Sequence, residues 1–129
     1  MSARDVGLVL NHSQASGTDK VVLLAIAWHM SDTHQEGAWP SIKRLAMYAQ
    51  VSERTVTRSI ANLEDMGELD VDRHSGRSYG GARTNRYWTM VDCPDDCDRS
   101  TWHRPLAELE PTISLVDNSD TPAILDFNR

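Results

Sequence analysis

The chain has 129 residues with 40% hydrophobic and 25% charged side chains, enough for one small domain with a tail. No apolar run is long enough to span a bilayer, no N-terminal stretch has the build of a signal peptide, and two cysteines cannot form a disulfide framework. The net charge of -6 is unevenly spread: ten Lys/Arg balance ten Asp/Glu over residues 1–91, and the whole deficit falls in residues 92–129. Between Arg73 and Arg86 four arginines occur with no acid, so a concentrated positive field sits inside an acidic protein.

In chain order, Asp5–Asn11 carries the apolar run Val6, Leu8, Val9 and Leu10, too short to separate strand from helix, and reads as an arm packing on the domain. Gly17-Thr18 breaks the chain, with Thr18 as candidate cap of a helix over about 18–32 and Asp19 at its positive end. Val21, Leu24, Ala25 and Trp28 fall three and four apart, widened by Val22, Leu23 and Ile26, which predicts a mostly buried scaffold helix. After a polar connection over 32–37, Trp39-Pro40-Ser41 starts a second helix. Proline suits its first turn and serine its cap; Ile42, Leu45, Ala46 and Ala49 form one face.

Val51-Ser52 is a turn, and Ser52 caps a third helix ending at Met66-Gly67. Val56, Ile60 and Leu63 lie within about 60° on the helical wheel, while Arg54 and Arg58 sit about 160° and about 200° from Val56. Thr57 and Asn62 flank the arginines and Thr55 lies beside Asn62. An ordinary solvated face needs only mixed charge; paired arginines beside short hydroxyls and an amide are the side chains that meet phosphates and base edges. Leu69, Val71 and Arg73 alternate with Glu68, Asp70 and Asp72 as a half-buried strand, and Asn85, Tyr87 and Thr89 alternate with Arg86, Trp88 and Met90 on a return strand. The glycine-rich stretch Ser75–Ala82 between them reads as a flexible loop.

Cap, apolar spacing in two consecutive helices, short connection, glycine stop and basic hairpin agree with one another. Taken together, Pro40-Ser41-Ile42-Lys43-Arg44-Leu45-Ala46, Val51-Ser52-Glu53-Arg54-Thr55-Val56-Thr57-Arg58 and Thr84-Asn85-Arg86-Tyr87 resemble the winged helix-turn-helix family of phage and plasmid replication initiators and actinobacterial mobile-element regulators. The resemblance implies a mainly α fold with a small β-hairpin wing around a three-helix core, a recognition helix at 52–66 and a wing at 74–83. It places an N-terminal arm at 1–16, the winged domain at 17–91 and an acidic tail at 92–129. DNA-contacting positions then fall on Ser52, Arg54, Thr55, Thr57 and Arg58 and on the wing arginines Arg73, Arg77 and Arg83. Ser41 and Lys43, near a helix start, are expected phosphate anchors.

Cys93-Pro94-Asp95-Asp96-Cys97 with His103 offers three donors for a zinc ion, the fourth being His74, Asp98 or a partner chain; two thiols in a loop and a local disulfide are the alternatives. The stretch from Pro105 to Arg129 mixes acids with Leu106, Leu109, Ile113, Leu115, Val116, Ile124, Leu125 and Phe127. Such a composition suits a tail that orders on a protein partner or on the chain's own wing, or one that only solubilises. No glycine-rich phosphate loop and no nucleophile beside a base is found, so no enzymatic activity is expected. Expected partners are double-stranded DNA, a protein for the tail and a second copy of the chain as a homodimer, in a bacterial or phage-infected cytoplasm. The competing reading is a protein-interaction adaptor built on the winged domain and tail.

Overall fold

The computed structural model describes residues 2–73, 78–79, 82–100 and 102–106. It divides into two compact units, Met1–Asp92 and Cys93–Arg129. The first contains α1 (Ala3–His12), α2 (Gly17–Trp28), α3 (Ile42–Ala49) and α4 (Glu53–Met66), then β1 (Leu69–Asp72), β2 (Ser78–Tyr79), β3 (Ala82–Arg83) and β4 (Arg86–Thr89).

The N-terminal apolar run is a helix. Ser2 caps it by accepting from the Asp5 amide at 3.1 Å, and Leu8 and Val9 are buried as α1 packs on α2. Glu68, which strand alternation places on the polar side, is buried instead. Its carboxylate accepts from the Ser13 hydroxyl and, at 2.7 Å, from the Gln14 amide just after α1. A buried carboxylate with two donors avoids the cost of an unpaired charge, and it ties the end of α1 to the root of β1.

Helix α2 is the centre of the core, touching α1, α3, α4 and β4. Its buried residues are Val22, Leu23, Ile26 and Ala27, while Val21 and Trp28 from the predicted stripe are 42% and 49% exposed. The expectation of a buried Val21–Leu24–Ala25–Trp28 face is therefore corrected. This helix is apolar nearly all round, so periodicity carries little directional information and its neighbours decide which side is covered. Two boundaries differ as well. The cap is Ser16 rather than Thr18, and the helix stops at Trp28, with His29 closing a tighter turn through its bond to the Ile26 carbonyl at 3.0 Å.

Pro40 lies one residue before the Ser41 cap, not in the first turn, and is buried there. Leu45 and Ala46 of α3 and Val56, Ile60 and Leu63 of α4 are buried where these two helices and α2 pack on one another. Between these helices Gln50 adopts the left-handed conformation, φ 56°, which reverses the chain in a few residues. Gly67 does the same after α4, φ 78°.

Strands β1 and β4 pair antiparallel in the register Leu69↔Thr89, Val71↔Tyr87, burying Leu69, Tyr87 and Thr89. On the other edge of β4, Ala38 exchanges two backbone bonds with Tyr87, at 2.8 and 2.7 Å. Tyr87 thus has neighbours on both sides, its phenol accepts from Asn85 at 3.1 Å, and burial pushes its ionisation upward. The expectation of an unstructured loop at 75–82 is corrected in part: Ser78–Tyr79 and Ala82–Arg83 form a short antiparallel ladder. Two residues separate the strands, and both are glycines, the composition that two-residue hairpin connections favour.

The side chain of His29 is held against Tyr48, with ring centroids 5.7 Å apart and a buried Nε2 that lacks a hydrogen-bond partner. Burial, then the nearby Arg44 charge, holds its ionisation below the ordinary 6.5. Protonation is easier in the unfolded chain, so the pH-linked part of its cost is absent while this histidine is neutral. It destabilises the fold as pH falls through the unfolded value towards the lowered folded one. Urea unfolding of the wild-type chain is expected to lose more stability between about pH 7.5 and about pH 5 than that of His29→Gln. Equal losses in the two proteins would refute this role.

Candidate nucleic-acid interface

The candidate surface begins with the cap of α4. Ser52 Oγ accepts from the Thr55 amide at 3.1 Å and lies 2.9 Å from the Thr55 hydroxyl, which fixes the first turn. Glu53 in that turn suits the positive end of the helix dipole. Buried Val56, Ser59, Ile60 and Leu63 then anchor one side against the core. That anchoring leaves Arg54, Thr57 and Arg58 exposed on the opposite side, with Thr55 half-buried at the edge.

The charge along this face is graded. Arg54 and Arg58 occupy the first half of α4, and Glu64 and Asp65 the last turns. Among the described residues the ion pairs are Arg4–Asp5 and Arg73–Glu64, so neither arginine of the first half is neutralised. Two like charges at i and i+4 cost a helix a few tenths of a kcal/mol. Helix stability therefore does not account for them, whereas an anionic ligand would. Their spacing corresponds to about 6 Å along the axis, close to two steps of about 3.4 Å along a nucleic-acid strand.

Ser41 caps α3, its Oγ accepting from the Arg44 amide at 3.0 Å, and Lys43 is exposed in the first turn beside exposed Arg44. Thr57 donates its hydroxyl back to the Glu53 carbonyl at 3.1 Å. Asn62 is tied to α2 by a bond from its amide nitrogen to Asp19 at 3.3 Å. Arg73, at the foot of the wing, makes a two-pronged bond to Glu64 at 2.8 and 3.2 Å; the pair holds the Glu64 carboxyl below its usual range. An exposed pair of this kind contributes about 0–1 kcal/mol, and its main effect is to offset the Arg73 charge. Arg77 and the side chain of Arg83 lie outside the described residues, although the backbone of Arg83 belongs to β3.

Two residues escaped the sequence reading. Arg86 stacks its guanidinium over the Trp39 ring, 5.4 Å from the centroid, so the fourth arginine of the basic stretch packs on an aromatic ring at the hairpin base. Arg44 is a further exposed cation beside Lys43. Its i, i+1 neighbour Lys43 was the available signal.

In the second unit, Cys93, Cys97 and His103 converge, with donor atoms all within 4.8 Å of one another. Both cysteines are thiols rather than a disulfide. Of the fourth donors considered from sequence, His74 is outside the described residues and Asp98 Oδ1 accepts from the Ser100 amide at 2.9 Å, the Ser100 hydroxyl at 2.8 Å and the Arg104 amide at 3.1 Å. Those bonds, Ser100's first, hold the Asp98 carboxyl below its usual range. The acidic stretch 107–129 lies outside the described residues.

A tri-helical core, a second and third helix joined by a tight turn, and a following antiparallel hairpin define a winged helix-turn-helix fold, mainly α. In agreement, residues 16–68 match the family model described as a helix-turn-helix domain, a stretch from the α2 cap to the start of the hairpin. Neither the curated proteins nor the solved structures contain a significant match. Among the described residues no helix is long and apolar enough to cross a membrane.

Proposed function

We propose that the chain binds duplex DNA sequence-selectively, by placing the first half of α4 in the major groove. The observation that carries this reading is the exposed, unpaired Arg54–Arg58 face opposite the buried Val56–Ile60–Leu63 anchor. A major groove about 12 Å wide admits a helix about 10–12 Å across. Either arginine can then grip a guanine through two bonds, while Thr55 and Thr57 meet a thymine methyl or a phosphate. Ser52, Ser41 and Lys43 are assigned to the flanking backbone, where free amides at helix starts favour phosphate. The wing, with Arg73, Arg77 and Arg83, is assigned to the backbone or the adjacent minor groove. The role is non-catalytic: control of transcription or initiation of replication on a mobile element, as the family resemblance suggests.

Selection of bound fragments from a random duplex pool tests the reading directly. A reproducible enriched motif supports it, and retention of the unselected pool composition would reject it. The wing has its own expected result. Arg77→Ala with Arg83→Ala should weaken binding to all duplexes alike and flatten the log–log salt slope by about 0.9 for each phosphate no longer neutralised. An unchanged slope would remove the wing from the interface.

A second reading, a protein-interaction adaptor, is favoured by one observation. Val21, Leu24, Ala25, Trp28 and Tyr48 line an open apolar groove between α2 and α3. Apolar docking there would be nearly independent of salt, unlike phosphate binding.

A further inference from the structure

We infer that Cys93, Cys97 and His103 bind a zinc ion that organises the segment 93–106. The distances are those a tetrahedral centre imposes. Zinc–sulfur bonds of about 2.3 Å and zinc–nitrogen bonds of about 2.0–2.1 Å, at a tetrahedral angle, put sulfur and nitrogen about 3.5 Å apart. His103 Nδ1 lies 3.3 Å from Cys93 Sγ and 3.5 Å from Cys97 Sγ. Hydrogen bonding alone accounts poorly for that arrangement. One ring nitrogen carries a single proton or a single lone pair and serves one thiol well, whereas one cation satisfies both sulfurs and the nitrogen together.

The surroundings fix the geometry of these groups. The Arg99 amide donates to Cys97 Sγ at 3.2 Å, which orients that sulfur, and Cys97 is buried. Over residues 92–104, Asp92, Asp95, Asp96 and Asp98 outweigh Arg99 and Arg104, which leaves a net negative charge suited to a divalent cation. A zinc ion with two thiolates is neutral, so binding leaves no uncompensated charge beside Cys97.

Among the described residues of this loop only Cys97 is buried, so an apolar core does not hold it. The Cys97 amide bonds to the Pro94 carbonyl at 3.1 Å, closing the turn between the cysteines. Asp98 and Leu106 take bonds to Arg104 and Asp96, at 3.0 and 2.7 Å, bringing the far end back beside Cys97. Arg99 and His103 both hold the left-handed conformation, φ 57° and 52°, which residues carrying a β-carbon adopt only at a cost. Metal–ligand bonds are strong enough to over-determine such a loop, because binding free energy becomes folding free energy. Two thiolates and an imidazole select zinc over calcium or magnesium, which prefer oxygen. The fourth position falls to a water or a further side-chain donor.

The full-length chain, isolated under reducing conditions with zinc supplied, is expected to retain about one equivalent of metal by elemental analysis. Replacement by cobalt(II) should give a tetrahedral visible spectrum with a sulfur-to-metal charge-transfer band. Cys97→Ser and His103→Gln should each release the metal at chelator levels that the wild type withstands, with helical circular dichroism as the folding control. Where a variant fails to fold, the wild-type cobalt spectrum decides: sulfur charge transfer supports the site and its absence overturns it. Failure of the reduced chain to take up zinc, or full retention by the folded variants, would also overturn it. None of these outcomes depends on DNA binding, so this inference and the proposed function fail independently.

Discussion

Alanine at Arg54 or Arg58 is expected to weaken binding to the selected duplex by about 1–3 kcal/mol, roughly 5- to 150-fold, while leaving the fold nearly unchanged. The separation of effects follows from position. Neither guanidinium has an ion-pair partner among the described residues, and the helix is anchored by Val56, Ile60 and Leu63 on its other side. Removing a like-charged i, i+4 neighbour should even help the helix by a few tenths of a kcal/mol. Loss of discrimination at one base position, with nonspecific binding reduced much less, would identify the residue as a base reader. A uniform loss across all sequences would assign it to phosphate. Wild-type affinity in both variants would remove the proposed face of α4 from the interface.

Gly37→Ala is expected to destabilise the Met1–Asp92 unit by about 2–4 kcal/mol, measured by urea unfolding. Gly37 has φ 75°, and a β-carbon built there would stand 2.7 Å from the Tyr87 carbonyl oxygen and 2.9 Å from the Trp88 ring. The backbone oxygen cannot step aside, because that carbonyl accepts the Ala38 amide at 2.8 Å. The Trp88 ring is tied as well, its Nε1 donating to the Gln35 carbonyl at 3.1 Å. Relief would therefore require opening the Ala38–Tyr87 pair, and the hairpin would lose a neighbour. Stability within about 0.5 kcal/mol of wild type would show that the turn can shift without opening that pair.

Local chemistry made much of this fold legible in the residues. Ser41, Ser52 and Gly67 are cap and stop residues whose effect is confined to one helical turn, and the structure has them in those roles. The Val56–Ile60–Leu63 stripe was legible because α4 is strongly two-sided. Helix α2 was not: with apolar residues on nearly every side, which side is covered depends on α1, α3, α4 and β4. The short ladder at the wing tip was hidden by its glycines, which depress strand propensity while favouring the connection between strands. Glu68 could not be read as buried, since its donors Ser13 and Gln14 lie more than fifty residues away. For the candidate interface, the orientation of Arg54 and Arg58 followed from helical period alone. The attachment of Arg73 to Glu64 and of Arg86 to Trp39 required the third dimension. The convergence of Cys93, Cys97 and His103 was suggested by spacing, but the position of His103 relative to the sulfurs depends on a left-handed turn that spacing does not encode.

The two-sided pairing of Tyr87 bears on how such a protein can diversify. A hairpin held from one edge can slip by a residue, and each slip turns its inward side chains outward. Here slippage would have to break the ladder to β1 and the rungs to Ala38 together, and expel the Tyr87 ring from the interior. The frame at the base is thus locked independently of whatever lies between residues 73 and 86. Length, reach and charge at the tip can drift across generations while the helix proposed to face DNA keeps its seat, so the proposed specificity and the stability can evolve on separate parts of one small domain.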